Sequence, residues 1–224
     1  MGAAKCAIKG SDYIGVFGSA TDKYVFFGYG VNQSICGMIC NNLKVDPVEL
    51  SVFGTDMVGL FVRGNSNGVL ISSLVEDYEV ERLKSMKLGI NIAVIDSGLN
   101  AVGNNIIAND KLAIINPEYS HEAVRQIGDI LGVEVIRYDV GGFKTVGANN
   151  ILTNKGLVVN NRASDEQKEK LDKTSGFEST STTANTGSLS IGLATISNSK
   201  GLIAGESTTG YELNRLVEGL DVGD

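Results

Sequence analysis

The sequence predicts an α+β fold: a five-fold pseudosymmetric ring of ββαβ repeats, an α/β propeller closed by the N-terminal strand. Three observations predict it. A hairpin pattern recurs five times, each copy opening on Ile or Val followed by Gly, at Ile14, Val58, Val102, Val146 and Ile191. These starts lie 44, 44, 44 and 45 residues apart, and a fixed period of this size marks a repeat architecture. Finally, the fifth repeat stops short of its last strand, while a surplus strand precedes the first repeat. The repeats run over about 14–57, 58–101, 102–145, 146–190 and 191–224, the last completed by 1–13, in one domain spanning 1–224.

Each hairpin turns at Asn, Asp, Thr, Lys or Gly: "TDK" (21–23), "NSNG" (65–68), "NDK" (109–111), "TNKG" (153–156) and "NSKG" (198–201). Asn, Asp and Gly accept the positive φ of tight turns, and the flanks are rich in β-branched residues. The segment "VGANNILTNKGLVVN" (146–160) reads as two short strands around such a turn.

A helical pattern follows each hairpin. In the fifth repeat Thr209 and Glu212 form a capping box, and Leu213, Leu216, Val217 and Leu220 fall on one face. In the third, Ser120 is the N-cap, Val124, Ile127, Ile130 and Leu131 make the stripe, and Gly132 supplies the stop. In the second, Val80, Leu83 and Met86 face inward, with Glu76 and Asp77 at the positive end of the helix dipole. In the first, Ile35, Met38 and Ile39 are core. The fourth, "SDEQKEKLDK" (164–173), has a capping box at Ser164 and Gln167 but little apolar beyond Leu171, and reads as a solvated face.

Third strands are predicted at 49–54, 91–97, 133–140 and 177–184, and the surplus strand at 4–9. One helix cannot bury its own stripe and a sheet face alone, so neighbouring units must share a core. Pairing the N-terminal strand with the fifth unit removes the exposed edges of an open stack.

The chain has 224 residues, enough for a sizeable core, and 42% are hydrophobic. Its apolar runs are too short to span a bilayer, and the first residues read as neither a secretory signal nor a myristoylation site, which points to an intracellular protein. Three cysteines, all within the first 40 residues, do not make a disulfide framework. Net charge is −7 from 19 basic and 26 acidic residues. A general phosphate binder gathers the opposite charge; an acidic chain suits a basic protein surface, and local basic patches stay open to it.

Five such units in a ring make the pentein architecture. Within it the chain resembles the translation initiation factor 6 family, specifically its archaeal type. The resemblance covers essentially the whole chain and rests on "SLVEDYEVERLK" (73–84), "VGNNIIANDKLAIINPE" (102–118), "LGVEVIR" (131–137), "TVGANNILTNKGLVVN" (145–160), "TANTGSLSIG" (183–192) and "SNSKGLIAGESTTGYEL" (197–213). The segment at 28–46 departs from the family, being apolar and cysteine-bearing where the family carries a longer, more acidic loop. The chain stops at Asp224 without the polar tail of eukaryotic members.

The resemblance implies binding without catalysis: a cytoplasmic, monomeric ribosome biogenesis and translation initiation factor. Such a factor sits on the intersubunit face of the large ribosomal subunit, touches ribosomal proteins and nearby rRNA, and sterically prevents association with the small subunit. It implies no cofactor, no catalytic or metal residues, no membrane and no DNA. The alternative is a pentein enzyme modifying guanidino compounds, with a Cys nucleophile, a His and carboxylates. A third reading is a ring scaffold for an unrelated protein partner. The only histidine, His121, falls at the start of the third helix, and no cysteine follows Cys40, both unfavourable to that chemistry. Cys36 and Cys40 read as helix-face packing, since a metal would want two further ligands. The glycines of 140–156 lack P-loop spacing.

Asparagine is a poor strand residue, so Asn104, Asn105, Asn149 and Asn150 at the repeat starts stand out. Two readings are open: they cap turns and satisfy backbone, or they form a polar rim. The candidate ribosome contact is this set with Gly103 and Gly147, whose missing side chains permit close approach.

Overall fold

The computed structural model describes residues 2–223. Chain order begins with β1 (Ala3–Cys6), followed by five units. The first has β2 (Gly18–Ala20), β3 (Tyr24–Gly28), α1 (Gln33–Leu43) and β4 (Asp46–Leu50). The second has α2 (Val58–Phe61), β5 (Val62–Gly64), β6 (Gly68–Ser72), α3 (Asp77–Ser85) and β7 (Asn91–Ile95). The third has α4 (Val102–Asn105), β8 (Ile106–Ala108), β9 (Leu112–Ile115), α5 (His121–Leu131) and β10 (Glu134–Arg137). The fourth has α6 (Val146–Asn149), β11 (Ile151–Leu152), β12 (Leu157–Asn160), α7 (Asp165–Ser175) and β13 (Thr180–Thr182). The fifth has β14 (Thr195–Ser197), β15 (Leu202–Gly205) and α8 (Gly210–Leu220).

Each unit forms its own three-stranded sheet, so no sheet closes on itself. A hairpin pairs antiparallel, and the strand after the helix joins the second hairpin strand in parallel. The fifth sheet lacks a strand of its own at this place. β1 fills it, running parallel to β15 with Ala3 opposite Leu202 and Cys6 opposite Gly205. The expected pairing of the N-terminal strand with the last unit is therefore present.

The cores are shared between neighbours. Phe26, Val48 and Leu50 of the first unit pack with Val62, Val69 and Leu83 of the second. Leu70 and Ile95 meet Ile106, Ile115 and Ile127; Ile107 and Ile114 meet Leu152, Val159 and Leu171; Ile151 and Val158 meet Leu202, Leu216 and Leu220. Ile196 and Ile203 of the fifth unit pack with Val25, Phe27, Ile39 and Leu43 of the first. Sharing is forced by composition: a helix such as α7 buries one apolar side chain, Leu171, and cannot cover a sheet alone.

The repeat starts differ from the expectation. Four of the five Ile/Val-Gly positions are single helical turns, Ile14–Val16 being 3₁₀ and Val58–Phe61, Val102–Asn105 and Val146–Asn149 α-helical, and the fifth, at 191–194, is a turn. Side chains hold them from within: Asn105 Nδ2 donates to Ala101 O at 2.8 Å, Asn150 Nδ2 to Val146 O at 2.9 Å and Thr195 Oγ1 to Ile191 O at 2.8 Å. At the centre of each turn the glycine faces the preceding unit. A Cβ on Gly59 would lie 1.8 Å from Gly15 O, on Gly103 1.9 Å from Gly59 O, on Gly147 2.1 Å from Gly103 O, on Gly192 2.0 Å from Gly147 O, and on Gly15 2.4 Å from Gly192 O. These contacts run through all five units and return to the first.

Third strands are shorter than expected, and the first is displaced. It occupies Asp46–Leu50 rather than 49–54, because Lys44 takes a left-handed φ of 53° and ends α1 at once, while the Asp46 amide donates to Lys23 O at 3.4 Å. Phe53 and Gly54 then turn with positive φ inside a Val52–Thr55 bridge. The same kind of turn at Lys9 and Gly10 ends the N-terminal strand at Cys6 instead of residue 9.

The helix caps are as read from sequence. Ser120 Oγ accepts from Ala123 N, Ser164 from Gln167 N and Thr209 from Glu212 N, and Gly132 is left-handed at φ 65°. The third helical residue also tethers the loop leading into its own unit. Glu79 accepts from Phe53 N and Gly54 N, Gln167 from Gly141 N, and Glu212 from Thr186 N, Gly187 N and Thr183 Oγ1. Burial alone would raise the Glu212 carboxyl; the donors, Thr183 Oγ1 first among them, outweigh it and hold the pKa at about 2.

Gly103→Ala should destabilise the chain by about 3 kcal/mol or more in chemical unfolding, since backbone must move. Gly37→Ala, in α1 with nothing within 4 Å of the new Cβ, should gain about 0.5–1 kcal/mol. For Glu212 the folded pKa lies below the ordinary value of 4.5, so its stabilisation is complete above that pH and is lost as pH falls toward 2. Glu212→Gln should cost about 1–3 kcal/mol at neutral pH and flatten this part of the acid unfolding curve.

Candidate interaction surface

The five hairpin tips carry a bonded lattice of polar side chains. Asn65 Nδ2 donates to Asn109 O at 3.0 Å, Asn109 Nδ2 to Thr153 O at 3.0 Å and Asn198 Nδ2 to Thr21 O at 3.0 Å, each linking one unit to the next. The Asn65 and Asn198 amides also cap helix ends, at Leu131 O and Leu43 O. In the next layer out, Ser66 N donates to Asp110 Oδ1, Asp110 N to Asn154 Oδ1 and Ser199 N to Asp22 Oδ1. The Asn154 amide donates to both Asp22 Oδ2 at 2.8 Å and Asp110 Oδ2 at 2.7 Å, separating two like charges with one neutral donor. Every carboxylate in this lattice is thereby hydrogen-bonded, and the tips are fixed relative to one another.

One residue beyond each of these positions stands the residue that faces solvent: Lys23, Asn67, Lys111, Lys155 and Lys200, all exposed. Three of the ammonium groups rest on main-chain carbonyls: Lys23 on Ser66 O, Lys155 on Asp221 O, and Lys200 on Asp22 O and Lys44 O. Of the four, Lys155 alone approaches a carboxylate among the described residues, Asp221 Oδ2 at 4.0 Å. On a chain of net charge −7 this end of the molecule presents four exposed lysines, three of them resting on main-chain carbonyls. The sequence signal was available: the same turn position recurs at the 44-residue period, but it reads as turn chemistry until the tips are placed side by side.

The six residues singled out from the sequence lie at the other end of the hairpin's first strand. Gly103 and Gly147 are buried in the contacts between units. Asn105, Asn149 and Asn150 are 5%, 4% and 1% exposed. Their amides serve the fold: Asn116 Nδ2 donates to Asn105 Oδ1 at 2.7 Å, Asn149 Nδ2 to Leu189 O at 3.2 Å, and Asn150 Oδ1 accepts from Asn160 N and Nδ2. Asn104 keeps partial exposure, and its Oδ1 is enclosed without a partner.

Among the described residues nothing assembles a reactive thiol. His121 is exposed at the first residue of α5, whereas Cys36 and Cys40 lie half-buried on α1 against the first core. Burial pushes the Cys6 and Cys36 thiols up to about 11, opposite to what a nucleophile needs. Among the described residues no three His, Cys, Asp or Glu side chains are placed to hold a metal, and no helix is long and apolar enough to cross a membrane.

Comparison with known proteins gives a consistent answer over nearly the whole chain. A family model described as the eIF-6 family matches residues 3–219. A protein named translation initiation factor 6 from Pyrococcus abyssi is 37% identical over 214 residues, 94% of each chain. Proteins of the same name from Methanosarcina acetivorans and Picrophilus torridus are 36% and 32% identical, covering 92% and 95% of this chain and 93% and 96% of their own.

Proposed function

The chain belongs to the eIF-6 family, a non-enzymatic family of translation initiation factors, and from that premise we propose that it binds the large ribosomal subunit on its intersubunit face and keeps the small subunit from joining. The observation that carries this reading is the family match from residue 3 to 219, which spans all five repeats rather than one motif. On this reading the units form a closed, propeller-like plate, acting as a monomer in the cytoplasm during ribosome biogenesis and initiation. A stiff plate of this kind needs no chemistry: occupying the surface is enough to exclude a second large body.

We assign the hairpin-tip end to the ribosome. Its lysines suit nearby rRNA phosphates, and the acidic remainder suits basic ribosomal proteins while discouraging attachment to RNA elsewhere. The bonded lattice beneath the lysines supports the assignment, because tips that do not move relative to one another lose little freedom on docking. Gly103, Asn105, Gly147, Asn149 and Asn150 could touch the ribosome only if their helical turns came apart. Asn104 is the one residue at the repeat starts, among these six, that a partner could reach directly.

Co-sedimentation with purified large subunits tests the reading. The protein should travel with large subunits and lower the yield of joined ribosomes when small subunits are added; protein left at the top of the gradient sinks the proposal. Replacing Lys23, Lys111, Lys155 and Lys200 together by Gln should weaken binding by about tenfold or more and lower the salt slope by about one for each phosphate no longer neutralised. Asn104→Ala should leave binding unchanged. Weaker binding of that variant, with the lysine variant unaffected, would move the contact to the opposite end.

A further inference from the structure

We propose that the cavity on the axis, where the five units meet, holds a small monovalent anion the size of chloride or bromide, bound by Arg63 with Ser19 beside it. The inference is independent of the ribosomal reading. The cavity has a volume of about 40 Å³ and receives residues from every unit, among them Ser19, Arg63, Ala108, Asn150 and Thr195. Two of its lining side chains have unmet polar atoms. Arg63 donates from Nη2 to Gly103 O at 2.8 Å, but its Nε is enclosed without an acceptor. Ser19 Oγ, from the neighbouring unit, is enclosed and unpartnered as well.

Arg63 takes part in no ion pair among the described residues. Arg63 keeps partial exposure as a residue, but a guanidinium whose Nε is closed off from water with no counter-charge beside it is costly, more so than an unpaired neutral donor. Burial pulls Arg63 down to about 10, so it remains charged at neutral pH. Water in the cavity could meet the hydrogen bonds, but it would leave the charge uncompensated. An anion meets both needs, accepting from Arg63 and Ser19 at once.

Size and neighbouring charge select which anion. A space of about 40 Å³ accommodates a halide with a water or two, given that one water needs roughly 10–15 Å³ by this kind of measure. A second cavity of about 30 Å³ adjoins it toward the hairpin tips, sharing Ala20, Gly64 and Ala108, and is lined by Asp22 and Asp110. Those carboxylates are already hydrogen-bonded to Ser199, Ser66 and Asn154. Their negative field disfavours a divalent anion next door.

Because every unit lines the cavity, occupancy stabilises the assembled chain and not the unfolded one, which makes stability depend on halide concentration. The test is thermal unfolding of the full chain at constant ionic strength, with sodium bromide or chloride exchanged for sodium gluconate, whose anion cannot enter. The midpoint should rise and saturate with halide. Arg63→Met should weaken the apparent halide affinity by about tenfold or more, as removal of a charge-assisted hydrogen bond requires. Should that variant not fold, Ser19→Val decides: it keeps the cation, fills the space and should likewise suppress the halide response. Diffraction from wild-type crystals grown in bromide should place an anomalous peak beside Arg63. Equal midpoints in bromide and gluconate, together with non-anomalous water density on the axis, would overturn the proposal.

Discussion

The rest of the structure depends on one contact made five times: a glycine at the head of each unit set against a carbonyl oxygen of the unit before it. At separations of 1.8–2.4 Å between that oxygen and a would-be Cβ, no side chain larger than hydrogen fits without moving backbone. This explains why the second position of each repeat start is glycine in all five copies, while the first alternates freely between Ile and Val. The contact sets the distance between units at the axis, and every shared core is built outward from it.

A unit here is too small to be stable alone. Its three-stranded sheet and single helix leave an apolar face open, and the cores show where that face goes: into the neighbour. Once the inner turns touch, the hairpins that leave them point the same way, and their tips arrive at one level. The Asn, Ser and Asp side chains at those tips then find partners in the adjacent unit. Polar lattice and apolar core thus answer the same geometric constraint at two heights along the axis. At the opposite end, the tethers from Glu79, Gln167 and Glu212 hold loops whose positive-φ residues would otherwise be free to rearrange.

Features governed by neighbours a few residues away were legible in advance. The capping boxes at Ser164 and Gln167 and at Thr209 and Glu212, the Ser120 cap and the Gly132 stop are of this kind, because their hydrogen bonds close within one turn. The pairing of β1 with the fifth sheet was legible by counting strands. Strand ends were not, since they are decided by where Lys9, Lys44 and Phe53 enter the left-handed region, a conformation that lysine and phenylalanine do not advertise. Nor were the helical turns at the repeat starts: four residues hold barely one period of an α-helix, and Asn105 and Asn150 look like exposed polar residues until their amides are seen closing onto carbonyls four positions back.

By itself the sequence determined the number of units, their order of elements, the helix caps and the family, because each of these is written in spacing or in residue type repeated along the chain. Only the tertiary structure decided which polar residues face outward. Three of the four asparagines of the repeat starts are drawn inside, the lysines of the tips are left in solvent, and Arg63 is carried to the axis with no carboxylate among the described residues to meet it. The physical reason is that burial among shared cores depends on what the neighbouring unit places opposite a residue, and that neighbour lies about 44 residues away.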